Sequence, residues 1–359
     1  MTVTIEKYNQ NGEGVAFLNN KPIYIFGGIK GEELEIAITT EKEKYSIGKI
    51  VKIIQPSINR RLEIIKDANL IGGYELIHMN REEQLNFKKE RVLNDFANIA
   101  KTELKTLDVF VGKKEFYYRN KITLHDGYFY QKQTKDKIKI DDYKLSSIKY
   151  DENLQGEIIY RQLDTLISGT KKSNISTTDS MFGLKFNVGI GSFYQINKEV
   201  AEEAYKDIKK FVIPNGKTLD LYSGIGTIAI YVSDISESVV AVENNKDSYK
   251  NAVDNIVQNQ ITNTRFIKAD VDIFLKKNNS HFNTFIVDPP REGMSVKAIK
   301  ILILKFKPER IIYLSCNPGT QASDFAKLKR HYKIIYSKIY DMFPQTKHIE
   351  SLIVLEKRK

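Results

Sequence analysis

Residues 217–234 read Lys-Thr-Leu-Asp-Leu-Tyr-Ser-Gly-Ile-Gly-Thr-Ile-Ala-Ile-Tyr-Val-Ser-Asp, and this stretch decides the fold. KTLDLYS has the character of a short sheet strand, the paired glycines Gly224 and Gly226 permit a sharp turn, and TIAIYVSD continues as a helix. Strand, glycine turn and helix in this order open a βαβ unit. Glycine lets the backbone approach a ligand closely, and the helix start offers N–H groups that lack intrahelical partners. The spacing also fits the G-x-G-x-x-A turn of dinucleotide-binding folds, so the turn predicts a ligand without choosing it.

Outward from this turn the alternation continues. Helix NKEVAEEAYKDIKKFV (197–212) leads in; strand SVVAVEN (238–244), helix KDSYKNAVDNIVQN (246–259) and strands TRFIKAD (264–270), FNTFIVDPP (282–290) and RIIYLSCNP (310–318) follow. The pattern predicts an α/β, Rossmann-like, doubly wound domain over residues 186–359. Residues 1–56 instead carry five short alternating segments, VTIEKYN, GVAFLNN, KPIYIFG, GEELEIAIT and YSIGKIVKII, and predict a small β-barrel. Between them, residues 57–185 read as a β-rich central domain. It contains a helical stretch at 86–105 and the aromatic clusters EFYYRNK (115–121) and GYFYQKQ (127–133).

Composition narrows the function classes. One cysteine, Cys316, permits no intrachain disulfide and no cysteine-ligated zinc or iron–sulfur site. The histidines, His78, His125, His281, His331 and His348, show no metal-ligand spacing, so no metal site is expected. No apolar run reaches the roughly 18 residues of a membrane span, and MTVTIEKYNQ lacks a signal-peptide core, which predicts a cytoplasmic protein. The net charge of +11 fits a polyanionic partner, although a lysine-rich genome would produce the same excess. Residues 291–359 hold 15 Lys and Arg against 6 Asp and Glu, most of that surplus.

Three segments at strand ends carry potential chemistry. Glu243, closing the strand after the glycine turn, is placed to bind ribose hydroxyls. In Asp288-Pro289-Pro290-Arg291 the prolines stop a strand and stiffen the loop on the rim where such sheets bind ligands. Cys316, in Leu-Ser-Cys-Asn-Pro, ends the next strand on that rim, either as a buried inert thiol or as a nucleophile. Glu350 begins the last apolar strand, SLIVLE, and is a candidate base or a solvated surface residue.

Taken together, SFYQIN (192–197), DLYSGIGT (220–227), AVENN (241–245), DPPREG (288–293), LSCNPGT (314–320) and DMFPQTKHIES (341–351) resemble, in order and spacing, the RNA uracil-5 methyltransferases of ribosomal and transfer RNA. The N-terminal barrel is similar to that family's TRAM module, and YYRNK (117–121) to an element of its central domain. The resemblance implies S-adenosylmethionine as cofactor and a structured RNA as partner, 23S rRNA with tRNA as the alternative, for a protein working as a monomer. It implies that Cys316 attacks carbon 6 of uracil, that Glu350 removes the carbon 5 proton, and that Asp288 helps bind the cofactor and orient the base. Gln195, Tyr222, Thr227, Glu243 and Asp270 fall where the family contacts S-adenosylmethionine, around the turn built on Gly224 and Gly226; Thr227 replaces an asparagine of some members. Many ribosomal-RNA members hold a [4Fe–4S] cluster through four cysteines around C-G-G-C. The comparable stretch, Asn69-Leu-Ile-Gly-Gly-Tyr74, has none, so no cluster is expected.

Three rivals remain. An NAD-dependent oxidoreductase fits the turn and Glu243 but leaves DPPR, SCNP and Glu350 without a task. An amino-group methyltransferase would need an aromatic residue where Arg291 stands, and a non-catalytic RNA-binding protein would not need the glycine turn.

Overall fold

Aliphatic side chains at alternate positions of six short strands close the N-terminal barrel. These are β1 (Thr2–Thr4), β2 (Lys7–Tyr8), β3 (Gly14–Leu18), β4 (Lys21–Ile25), β5 (Glu33–Glu41) and β6 (Ser46–Gln55), hydrogen-bonded in the order β1-β5-β6-β4-β3-β2. Ile5, Ala16, Ile23, Ile25, Leu34 and Ile36 fill the interior. In this computed structural model the described residues are 1–61, 65, 68, 70–132, 134–140 and 142–359; Asn69 and Gln133, from two stretches quoted above, lie outside them. The expected first strand, VTIEKYN, is two strands. At the break the Ile5 N–H donates to the Glu32 carbonyl and the Glu6 N–H to the Val15 carbonyl, each at 2.9 Å, so the chain leaves β5 and joins β3.

Helix α1 (Arg81–Asn98) begins earlier and ends earlier than the expected 86–105. Asn80 sets the start, its Oδ1 accepting the Glu83 N–H at 2.9 Å and satisfying a donor of the first turn. At the far end Lys101 adopts φ 50° and the Thr102 N–H folds back to the Phe96 carbonyl, which stops the helix despite its favourable composition.

The chain divides into two compact units: Met1–Arg91, Tyr130–Ile138 and Phe343–His348 form one, and Val92–Phe129, Lys139–Met342 and Ile349–Lys359 the other. Short strands come first: β7 (Asp108–Phe110), β8 (Lys121–His125), β9 (Phe129–Tyr130), β10 (Lys137–Ile138), β11 (Glu157–Gln162), β12 (Leu166–Gly169), β13 (Ser176–Met181) and β14 (Leu184–Gly189). In the second unit β8, β11 and β12 make an antiparallel sheet and β13 and β14 a hairpin. Then follow α2 (Lys198–Phe211), β15 (Lys217–Leu221), α3 (Thr227–Tyr231), β16 (Ser238–Glu243), α4 (Lys246–Gln258), β17 (Thr264–Lys268), α5 (Val271–Lys277), β18 (Thr284–Val287), α6 (Val296–Ile301), β19 (Arg310–Ser315), α7 (Pro318–Leu328), β20 (Tyr332–Tyr340) and β21 (Glu350–Lys357).

The large sheet has the order β17-β16-β15-β18-β19-β21-β20-β7. Its strands are parallel except β21, which runs antiparallel to both neighbours. Leu219, Leu221, Phe285, Val287, Ile311 and Tyr313 are fully buried, as strands covered on both faces require. Strand order reverses between β15 and β18, so a crevice opens beyond their carboxyl ends. Among the described residues no helix is long and apolar enough to cross a membrane.

Candidate active site

The crevice at this reversal is a cleft lined by Phe193, Gln195, Tyr205, Asp220, Tyr222, Gly224, Thr227 and Asp288 among others. Its floor is the glycine turn. Tyr222, Gly224 and Gly226 all have positive φ, at 64°, 56° and 87°. A side chain at Gly226 would run into the Phe266 ring, whereas nothing lies within 4 Å of a Cβ built on Gly224. Gly226 therefore packs the turn against the sheet, and Gly224 leaves backbone open to the cleft. Glu243 fixes the turn from the neighbouring strand: Oε2 accepts the Gly224 N–H at 2.8 Å and Oε1 the Asn245 N–H at 2.6 Å.

The opposite wall is SFYQIN, held from several directions. Asn120 Nδ2 donates to the Gln195 carbonyl at 3.0 Å, Arg161 donates to the Ser192 carbonyl at 2.6 Å, and Tyr194 donates to Asp179 at 2.7 Å. Gln195 is buried as a result, while Phe193 keeps 66 % of its surface exposed beside it. Of the residues expected around the cofactor, Gln195, Tyr222, Gly224, Thr227 and Asp288 share this lining. Gly226 and Glu243 support it from behind, and Asp270 caps α5, its Oδ1 accepting the Ile273 N–H at 3.1 Å. Two lining residues, Tyr205 and Asp220, escaped the sequence reading. Asp220 lay inside the quoted turn and is 1 % exposed; Tyr205 sits on the buried face of α2, where its spacing reads as ordinary core.

Cys316 follows the last residue of β19 and is half-buried. Its loop is rigid for a local reason: Asn317 caps α7, Oδ1 accepting the Gly319 N–H, and Pro318 takes the first helical position. The Asn317 amide and the Thr320 hydroxyl both donate to the Arg291 carbonyl at 3.1 Å, which ties this loop to the one holding Asp288. Ser315 pairs with Ser351 across antiparallel β19 and β21, so the next positions outward, Cys316 and Glu350, flank each other on the rim. Glu350 is 2 % exposed, and its Oε1 has no hydrogen-bond partner among the described residues. No cluster of three or more metal-ligating side chains is found among the described residues.

Burial dominates the electrostatics. It pushes Asp288 up to about 7, and together with Asp288 it holds Glu350 well above the ordinary carboxylate range. Tyr205 faces Asp288, Glu350 and Asp220, and burial raises it too. The Cys316 thiol is pushed up to about 11 by burial and then by the Glu350 and Asp288 carboxylates, against the opposing Arg291. Raising a thiol's pKa lowers its thiolate fraction at neutral pH. Because Cys316 is the sole cysteine, alkylation by iodoacetamide followed at the Cys316 peptide separates the thiol from lysine amines. Without RNA, the rate should climb about tenfold per pH unit between about 7 and 10. A plateau near pH 8.5, the usual thiol value, would show that the rim does not hold the thiol protonated.

Residues 120–358 match the family model described as tRNA (uracil-5-)-methyltransferase, and residues 1–51 match the TRAM domain model. An "uncharacterized RNA methyltransferase" of Mycoplasma mobile is 51 % identical over 351 residues, covering 98 % of this chain and 96 % of the relative. One from Staphylococcus epidermidis is 27 % identical, covering 97 % and 95 %. The crystal structure of Pyrococcus abyssi tRNA (uracil-54, C5)-methyltransferase in complex with S-adenosyl-L-homocysteine shares the fold with a TM-score of 0.80 at 22 % identity, covering 99 % of this chain and all of that one.

Proposed function

Since the chain belongs to the tRNA (uracil-5-)-methyltransferase family, we propose that it methylates carbon 5 of a uridine in structured RNA through a covalent bond to Cys316. One observation carries the reading: Cys316, Glu350 and Asp288 stand on one rim, with Asp288 also lining the cleft at the strand-order reversal. A turn with an open Gly224 and buried carboxylates suits a ligand that combines hydroxyl groups with a positive sulfonium. Gln195, Tyr222, Gly224, Thr227 and Asp288 would hold S-adenosylmethionine, with Glu243 and Gly226 shaping the turn and Asp270 at the cleft's edge. When bound, the cofactor supplies an electrophilic methyl group.

The chain's own residues supply the rest. The target base must leave the stack, because both faces of its carbon 5–carbon 6 bond are otherwise covered. The Cys316 thiolate forms a bond to carbon 6, moving the ring electrons into an enolate whose carbon 5 takes the methyl group as its bond to sulfur breaks. Glu350, as carboxylate, then removes the carbon 5 proton; the carbon 5–carbon 6 double bond re-forms and the thiolate leaves. Asp288 orients the base beside the cleft. In this division of labour residues 1–56 and 57–185 grip the RNA and 186–359 carry the chemistry, in the cytoplasm and without an iron–sulfur cluster.

We take 23S rRNA as the substrate, while the family model's description favours tRNA as the second reading. Mapping 5-methyluridine in both RNAs from a strain lacking the gene decides between them. Loss from 23S rRNA with tRNA unchanged is expected. Loss confined to tRNA would replace the first reading with the second, and no loss from either would remove both.

A further inference from the structure

The opposite rim of the large sheet carries a groove that the reaction does not use. It runs between residues 101–106, the end of α7 and the start of β20, with Lys101, Lys105, Arg330, Lys333 and Arg358 along its length and Glu103 as its lone carboxylate among the described residues. Lys101, Lys105 and Arg330 are exposed and have no carboxylate partner among the described residues. Lys333 pairs with Glu356 at 2.9 Å, and Arg358 Nε donates to the Lys329 and Tyr332 carbonyls, which fixes the edge of the groove. β20 and β21 set its distance from the chemistry. Tyr340 pairs with Glu350 at the catalytic end and Tyr332 with Lys357 at the other. Seven strand steps, about 3.3 Å each, make this roughly 23 Å.

Resting on the reading that the substrate is RNA, we propose that this groove is a second, phosphate-binding surface that grips a part of the folded RNA remote from the target uridine. Part of the charge excess of residues 291–359, Lys329, Arg330, Lys333 and Arg358, is brought here by the return of β20 and the C-terminal end of β21 to this rim. Cations spaced along an open groove suit a repeating anion such as a phosphate backbone, and such contacts position a nucleic acid without reading its sequence. An acidic protein segment is the competing occupant; the row of single charges along the groove, with Glu103 the one opposing carboxylate in its lining among the described residues, favours the backbone.

The test combines the substitutions K101Q, K105Q and R330Q in the full chain. Probes are transcripts of tRNA and of a 23S rRNA fragment, and short hairpins carrying the same uridine. Binding of the folded transcript that the enzyme methylates should weaken about tenfold, and the slope of log Kd against log salt should fall by about 2, since each lost phosphate contact removes roughly 0.7 to 0.9. KM for that transcript should rise with kcat unchanged, the short hairpin should be methylated as by wild type, and the charge-retaining set K101R, K105R and R330K should keep both affinity and slope at the wild-type level. Unchanged affinity and slope would overturn the proposal and leave the groove to an acidic protein. Equal weakening toward hairpin and transcript would overturn it too, because the grip would then not be remote. A wild-type protein that methylates neither RNA would sink the methyltransferase reading, while transcript binding and its salt slope would still judge the groove.

Discussion

Replacing Cys316 with alanine is expected to lower RNA methylation by about 10⁴-fold or more, equivalent to roughly 5 kcal/mol of barrier at 1.36 kcal/mol per tenfold, with S-adenosylmethionine affinity nearly unchanged. Carbon 5 of uracil is a poor nucleophile until carbon 6 carries the thiolate, and no second cysteine can substitute. Cofactor binding should survive because the cleft is lined from β15, α3, β18 and the SFYQIN segment, none of which Cys316 supports. The thiol is half-buried at a rim, so its loss leaves little void, and the capped start of α7 holds the loop without it. Isothermal titration with the cofactor and a filter assay for labelled methyl groups on RNA measure the two halves. Appreciable turnover by the alanine variant would remove the covalent mechanism.

Substituting Glu350 with glutamine should stop the reaction at a later point. The change preserves shape at a position only 2 % exposed, and it takes away the charge that must accept a proton. In the proposed reaction attack by Cys316 and methyl transfer precede proton removal, so the variant should accumulate a protein–RNA adduct that already carries the methyl group and survives denaturing electrophoresis, with turnover reduced by roughly 10²- to 10⁴-fold. The double variant Cys316→Ala, Glu350→Gln should form no adduct. Wild-type turnover by Glu350→Gln would place the base elsewhere. An inactive variant with no adduct would instead make Glu350 a residue that supports folding or positions the base.

The raised pKa values on this rim bear on the proposed reaction. In the free enzyme, burial and the neighbouring carboxylates keep both Cys316 and Glu350 biased toward their protonated, neutral forms. Under the proposed mechanism both groups would have to ionise once RNA is bound. Glu350 Oε1, which has no hydrogen-bond partner among the described residues, would be one atom able to respond.

Much of the fold was legible because its local signals are stereochemical. The positive φ of Gly224 and Gly226 is the conformation glycine tolerates best, so two glycines two residues apart after a short strand announced the turn. Buried parallel strands read as apolar runs ending at Asp288 and Cys316, which puts both on one rim. Elements whose limits depend on distant partners read less well. The first barrel strand broke because Ile5 and Glu6 bond to different neighbours, and α1 was displaced by its Asn80 cap and the left-handed Lys101. Helices α5, α6 and α7 and strand β20 were missing from the sequence reading; α5 and α6 are only 7 and 6 residues long, too short to display a clear helical period.

By itself, then, the sequence determined the catalytic domain's strand–turn–helix grammar, the N-terminal barrel, and the presence of a lone thiol at a strand end. Only the tertiary structure decided that Glu350 lies beside Cys316, since that depends on β21 inserting antiparallel between β19 and β20. It alone drew Tyr205 and Asp220 into the cleft and set Lys329, Arg330, Lys333 and Arg358 with Lys101 and Lys105 along one groove. The physical reason is the same in each case. Backbone conformation and hydrophobic period are set by residues a few positions apart, whereas the proximity of two charges or of a base and a nucleophile is set by strand pairing across tens of residues of chain.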